Sequence, residues 1–486
     1  MRRRFLFLFI ILAFFAVCIS FASCGGIGAL LEDKMSFASD GNGGAVLVSV
    51  QGYYGKDAVI PTVSPDGEPV VGIGAEAFAG SGAVSVTVPD GVTFIDSRAF
   101  ASCTSLLSFN VPETVTELGT RVFEGCVSLS SLTVAEGNTA YYSKGNCIIR
   151  REGEVLVAGC GGSVIHEGIE AIASGAFYGA SALTSALIPE GVKKIGSYAF
   201  YGCASILELT LPDTLEAVGA YAFNGCSSVT EITVSPRITV LNEGVFRNCT
   251  ALVTVNLPEG LLEIGDMAFQ GCTALVDPVF PSSVKRIGGL AFSGCNSYIH
   301  LKLPKDLIEL GDGAFSYCDA LFGVKIDKSN PIFRAESNCL IRREDGVIVL
   351  GTRGSKIPSD PSVTAIGDRA FWGAKLLRNA VIPENIRSIG KEAFYGCSYL
   401  ERVIISDSTT VVGDGAFNHC FTLHTVYISP SVEELGHSLF VGCTSLKEIL
   451  IGAQTVPEGW CSNWNGSDAV TVWGSERPQI EIGSKE

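Results

Sequence analysis

Charged side chains are scarce in this sequence. Only 17% of its 486 residues are Asp, Glu, Lys or Arg, against 47% hydrophobic residues, so the composition is that of a chain with a large core, not of a disordered polymer. Basic residues are fewer than acidic ones, 34 against 50. The resulting net charge of −16 makes a surface that repels phosphate backbones, and nucleic acid is not an expected partner. There are five histidines, His166, His300, His419, His424 and His437, and they are too scattered for a zinc motif. No two cysteines stand two to four residues apart, so no metal or cofactor site is expected. The phrases G-x-S-x-G and H-E-x-x-H and the phosphate-cradling P-loop are also missing, and catalysis is not expected. His419, Cys420, His424 and His437 could serve a nucleophile and base or a metal, but each occupies a variable position of a repeat.

What is present begins with three arginines, Arg2 to Arg4, followed by an apolar run from Phe5 to Ile19 and small residues ending at Cys24. The run is shorter than the ~20 residues a spanning helix needs. It reads as an export signal over residues 1–23, whose removal takes the net charge to −19. Phe21-Ala22-Ser23-Cys24 resembles the lipobox of bacterial lipoproteins, with Phe21 in place of the usual leucine. That resemblance implies a diacylglycerol thioether on Cys24 and a lipid-anchored chain at the cell surface, with simple secretion as the alternative. The lipid anchor would be the chain's one link to a membrane.

The remainder is periodic. A phenylalanine inside the phrase I-G-x-x-A-F-x-G-C recurs at 78, 100, 123, 177, 200, 223, 246, 269, 292, 315, 371, 394, 417 and 440. Eleven of the thirteen intervals are 22 or 23 residues, a period that predicts a solenoid. Between phenylalanines, segments such as Glu208-Leu209-Thr210-Leu211-Pro212 alternate as half-buried strands, with Leu209 inward and Glu208 and Thr210 outward. A proline closes most of them because it cannot continue a ladder. A second apolar segment, such as Val192 to Ile195, precedes Gly196, and its counterparts precede Gly219, Gly265, Gly288 and Gly311; these glycines are expected to take positive φ. The Ala-Phe pair is expected to start a short helical turn. The two long intervals, 54 and 56 residues, contain matching segments 192 residues apart, Asn146 to Glu152 and Asn338 to Glu344. Each is followed by a second apolar run and reads as an inserted hairpin.

This phrase is similar to that of the BspA-type leucine-rich repeat family of bacterial surface proteins, over about residues 35–474. The resemblance extends to an opening cap over 44–70 and a closing cap carrying Trp460, Trp464 and Trp473. The fold expected is a single curved leucine-rich-repeat β-solenoid of short strands, turns and short helical turns, with two inserted hairpins. At ~4.8 Å per coil, fourteen coils span ~70 Å. Its parts are 24–73 (lipobox cysteine, linker and N-terminal cap strands), repeats at 74–134, 172–326 and 366–452, insertions at 135–171 and 327–365, and a cap and polar tail at 453–486. The resemblance implies an adhesin or protein-interaction scaffold that binds host or neighbouring-cell macromolecules.

Eleven cysteines fall three residues after the repeat phenylalanine, Cys103, Cys126, Cys203, Cys226, Cys249, Cys272, Cys295, Cys318, Cys397, Cys420 and Cys443. One small residue at one phase of every coil predicts a buried, reduced ladder. Cys147 and Cys160 flank one insertion and could bridge, although Cys339 has no matching partner. The tryptophans could stack on a sugar, which gives a glycan-binding alternative, or cover the apolar end of the solenoid. The row ten residues after each phenylalanine ends in Val381, Ile404, Tyr427 and Leu450. Four consecutive outward apolar residues are a candidate partner-binding stripe, unless a loop or cap lies over them.

Overall fold

The computed structural model describes residues 35–51, 57–375 and 378–478. An opening antiparallel pair, Met35–Ser39 with Ala45–Val50, passes its second strand in parallel to Val70–Ile73. From there the chain winds as a β-solenoid, and each coil has three sides. One side carries a two-residue strand, as in Lys194–Ile195 against Ala217–Val218. Another carries a three-residue strand, as in Ser185–Leu187 against Glu208–Thr210. The third is the corner that holds the phenylalanine. The alternation read from sequence holds in the three-residue strands, where Leu209 is buried between exposed Glu208 and Thr210.

The corner is a turn, and no helix occurs among the described residues. Helical continuation fails because the residue two before the phenylalanine is left-handed, with φ near 60° at Glu76, Arg98 and Tyr198. The corner amides bond along the solenoid instead: Phe177 donates to Ala199 O at 2.7 Å and Phe200 to Ala222 O at 2.7 Å. Corner amides thus tie coil to coil in addition to the strand ladders, which run in segments along the solenoid. The glycines at 196, 219, 265, 288 and 311 are absent from the positive-φ residues, which corrects the expectation. Their reason is proximity. A Cβ on Gly265 would stand 2.7 Å from Leu241 O, and one on Gly196 would run into the Ser174 backbone.

Inside, the phenylalanine rings stack face to face. In the middle block the centroids of 177, 200, 223, 246, 269, 292 and 315 lie 4.8 to 5.6 Å apart. Shorter stacks run through 78, 100 and 123 and through 371, 394, 417 and 440. Offset stacking of this kind adds to simple area burial. The insertions fall between the three stacks.

Each insertion is a three-stranded meander, one strand more than the expected hairpin. Tyr141–Lys144, Cys147–Arg150 and Val155–Ala158 pair in order, and the last joins Ala171–Ile172 in parallel. Phe333–Glu336, Cys339–Arg342 and Val347–Gly351 repeat the arrangement. The solenoid therefore continues through both. A buried asparagine turns the chain into each meander. Asn330 Nδ2 donates to Lys305 O and Leu307 O, while its Oδ1 accepts from Ile332 N and Phe333 N, all between 2.7 and 2.9 Å. Asn138 makes the same four bonds with Pro112, Val115, Ala140 and Tyr141.

Candidate functional site

The positions singled out in the sequence divide into several fates. Cys24 lies outside the described residues. All eleven ladder cysteines are buried and free, and their sulfurs share one partner type. Cys249 Sγ donates to Phe223 O at 3.3 Å and Cys272 Sγ to Phe246 O at 3.1 Å, and the pattern recurs at every ladder position from Cys103 to Cys443. Burial pushes the thiols of Cys203, Cys249, Cys318 and Cys397 up to about 12, so they are inert as nucleophiles. Cys147 and Cys160 are also free. Ser163 Oγ lies 3.6 Å from Cys160 Sγ and donates to Asn146 O at 2.6 Å. Thr352 and Ser355 build the equivalent nest around Asn338 O.

The expected stripe assembles but is not open. Strand register places Val381 beside Ile404, Ile404 beside Tyr427 and Tyr427 beside Leu450. Ile404 and Tyr427 are only 5% and 3% exposed, with Val381 and Leu450 half-buried. The C-terminal segment runs near these residues. Ser475 N bonds Ile451 O at 2.9 Å, and Arg477 then reaches back along the solenoid to Glu384 at 2.6 Å and Asp407 at 3.8 Å, each three residues beyond a member of the row. Burial and the neighbouring Asp407 raise the Tyr427 phenol, with Arg477 opposing them.

The tryptophans act as a cap. Trp460 and Trp464 are buried, Trp464 meets Phe440 edge-on at 6.4 Å, and Trp460 Nε1 donates to Val432 O at 2.9 Å. Neither offers a free ring face to a sugar. A tyrosine cluster at the first seam, Tyr178, Tyr198, Tyr201 and Tyr221, has the Arg121 guanidinium over two of its rings. The histidines do not converge on a metal, and no group of three metal-ligating side chains occurs among the described residues. Cys420 bonds Phe394 O, and the His419 ring packs on Tyr395. The thiol that does meet an imidazole is Cys461, 3.6 Å from His437 Nε2.

An open apolar row exists elsewhere. Seven residues after the phenylalanine, on the side of the three-residue strands, Val253, Val276, Ile299 and Phe322 are 43%, 48%, 42% and 52% exposed. They occupy four consecutive coils. The corresponding residues of the final block are Arg378, Glu401, His424 and Lys447. The sequence reading followed the row ten residues after the phenylalanine and passed over this one. Their shared phase and the change to charged residues after the second insertion were the available signal.

Stacked parallel coils with varied side chains on a shared strand face define a leucine-rich-repeat solenoid, a class that generally presents a surface for protein interaction and not a catalytic centre. Residues 69–145, 163–276, 263–340 and 355–465 match the BspA type leucine rich repeat region. The chain belongs to that family. Among solved structures, it is similar to a leucine-rich cell surface protein of Faecalibacterium prausnitzii, at 20% identity and TM-score 0.41 over 94% of this chain and 100% of that one. It is also similar to a leucine-rich repeat protein of Bacteroides ovatus, at 20% identity and TM-score 0.44 over 91% and 98%. A third is the pneumococcal vaccine antigen PcpA, at 16% identity and TM-score 0.33 over 86% and 80%. A comparison with curated proteins finds no match.

Proposed function

We propose that the chain is a bacterial surface adhesin, exported and tethered through Cys24, that binds a protein of a host or neighbouring cell on its strand face. The observation that carries this reading is the exposed row Val253, Val276, Ile299 and Phe322. Contiguous apolar side chains on a rigid scaffold are what an interface buries, with the aromatic member as its anchor. The glycan alternative has less support, because Trp460 and Trp464 are spent on the cap. The experiment is surface plasmon resonance of the purified chain against immobilised extracellular-matrix proteins. Ile299→Asp and Phe322→Asp are expected to weaken binding about tenfold or more without lowering the melting temperature. Affinity unchanged in both variants refutes the reading. Tethering is tested separately: Cys24→Ala should abolish labelling by a fatty-acid analogue and release the protein to the medium, and an unlabelled wild type counts against the anchor.

A further inference from the structure

Beside the apolar row the strand face is interrupted. Thr254–Asn256 pairs with the preceding coil, and His300–Lys302 pairs with Gly323–Lys325, but the coil between them has no strand on this face. Pro278 sits where the ladder would need an amide, and Asp277 takes a φ of 27°. The carboxylate of Asp277 accepts from the amides of Ile299 and His300 at 2.7 and 3.0 Å. What remains is an open recess of about 440 Å³ that includes Lys302, Lys305 and Lys325 in its wall.

Three ammonium groups in one recess are out of character for a chain of net charge −16. Lys302 and Lys325 are direct neighbours in the ladder, a like-charge placement that is unfavourable unless something between them is negative. The recess has two carboxylates of its own; both hold hydrogen-bond donors, and Asp327 also feels the charges of Lys305 and Lys302. Asp277 holds the two amides just named and approaches His300 Nδ1 at 3.4 Å. Asp327 accepts from Ser329 N and Oγ at 2.8 and 2.6 Å. None of the three lysines has an ion pair within 4.0 Å among the described residues. Apart from Ser282 and His300 the remaining wall is apolar: Val279 is 83% exposed, with Pro278, Pro304 and Ile326 around it.

We propose that this recess binds an acidic, apolar peptide segment of the partner protein, with its carboxylates on Lys302, Lys305 and Lys325 and its aliphatic or aromatic side chains on Val279, Ile299 and Phe322. The inference rests on the reading of the strand face as the binding face and adds the chemistry of what it takes. Charge complementarity selects an anion, and the adjoining row, aliphatic in three of its four members, selects a peptide over a polysaccharide, since sugars stack on aromatic faces and gain little from valine and isoleucine.

The test uses the full-length chain and a fluorescent peptide alternating Glu with Leu and Phe, read by fluorescence polarisation. A second peptide has Gln for every Glu, and heparin serves as the polysaccharide probe. The Glu peptide is expected to bind more tightly than the Gln peptide, to weaken as salt rises from about 0.05 to about 0.2 M, and to lose about tenfold in affinity in the double variant Lys302→Gln, Lys325→Gln. These lysines are exposed, so the melting temperature should not move. Equal binding of the two peptides, sensitive to Phe322→Asp, overturns the lysine assignment and leaves the apolar face standing. Heparin binding that depends on Lys302 and Lys325, without peptide binding, overturns the peptide in favour of a polysaccharide. Failure of both peptides and of heparin removes the recess as a binding site, while the matrix-protein measurement above still judges the face on its own.

Discussion

Replacing Asn330 by alanine should unfasten the second meander. Its side chain is 2% exposed and makes four hydrogen bonds, two given to carbonyls of the preceding coil and two received from amides at the start of the meander. Each such bond contributes about 1 kcal/mol net, and Ala leaves two carbonyls and two amides without their partner, two of these bonds being fully buried, so the loss should be about 3 to 5 kcal/mol. Because coils in a solenoid interact with neighbours only, the loss should be local. Amide hydrogen exchange should therefore accelerate across 330–350 and stay slow in the coils around Phe200. Asn256 provides the contrast: its two hydrogen bonds, to Glu231 and Thr233, are exposed, and Asn256→Ala should cost under about 1 kcal/mol. If Asn330→Ala costs no more than Asn256→Ala, or if exchange rises evenly along the chain, the anchoring role assigned to this residue is wrong.

The thiol ladder makes stability fall at high pH. The folded-state thiols of Cys203, Cys249, Cys318 and Cys397 are raised to about 12 from an ordinary 9.0, so the unfolded chain releases protons from about pH 9 while the folded chain retains them. Their contribution is complete below pH 9 and is lost as pH rises toward 12. Melting temperature should decline over that window, less steeply in Cys249→Ala, which at neutral pH should itself cost about 1 to 2 kcal/mol; a flat profile or an equal slope in the variant would contradict this. Tyr427→Ala, a truncation of a buried ring, should destabilise by about 3 kcal/mol and leave binding by the middle block unchanged. Loss of partner affinity at unaltered stability would instead restore this tyrosine to the interface.

Periodic features were legible because they depend on neighbours one coil away. The spacing of phenylalanines placed their rings in the core, and the alternation at Glu208, Leu209 and Thr210 set the strand faces. The glycine phase was legible as well, but its cause was not, since a missing side chain can answer either a left-handed backbone or a close neighbour and spacing does not separate them. What escaped were contacts made by residues with no period. The segment at 474–478 carries no repeat phase, yet Arg477 pairs with Glu384 and Asp407 and acts on the Tyr427 phenol. Asn138 and Asn330 were hidden for a related reason: each occurs once per insertion, and their common role emerges only when four backbone partners are seen around one amide. The open row from Val253 to Phe322 was within reach of a count at a different phase.

The separation between what ties the coils and what faces outward has an evolutionary consequence. Within each block, phenylalanine rings, corner amides and close glycines hold one coil to the next with the same kinds of contact. The outward strand residues take little part in that grip. A lineage can therefore rewrite Val276, Ile299 or Lys302 to follow a changing partner, or add and delete whole 23-residue units to alter reach, without renegotiating the fold. Recognition and architecture can thus drift on separate clocks in this chain. The matched insertions at 138–163 and 330–355 are the fixed marks between which such drift would be read.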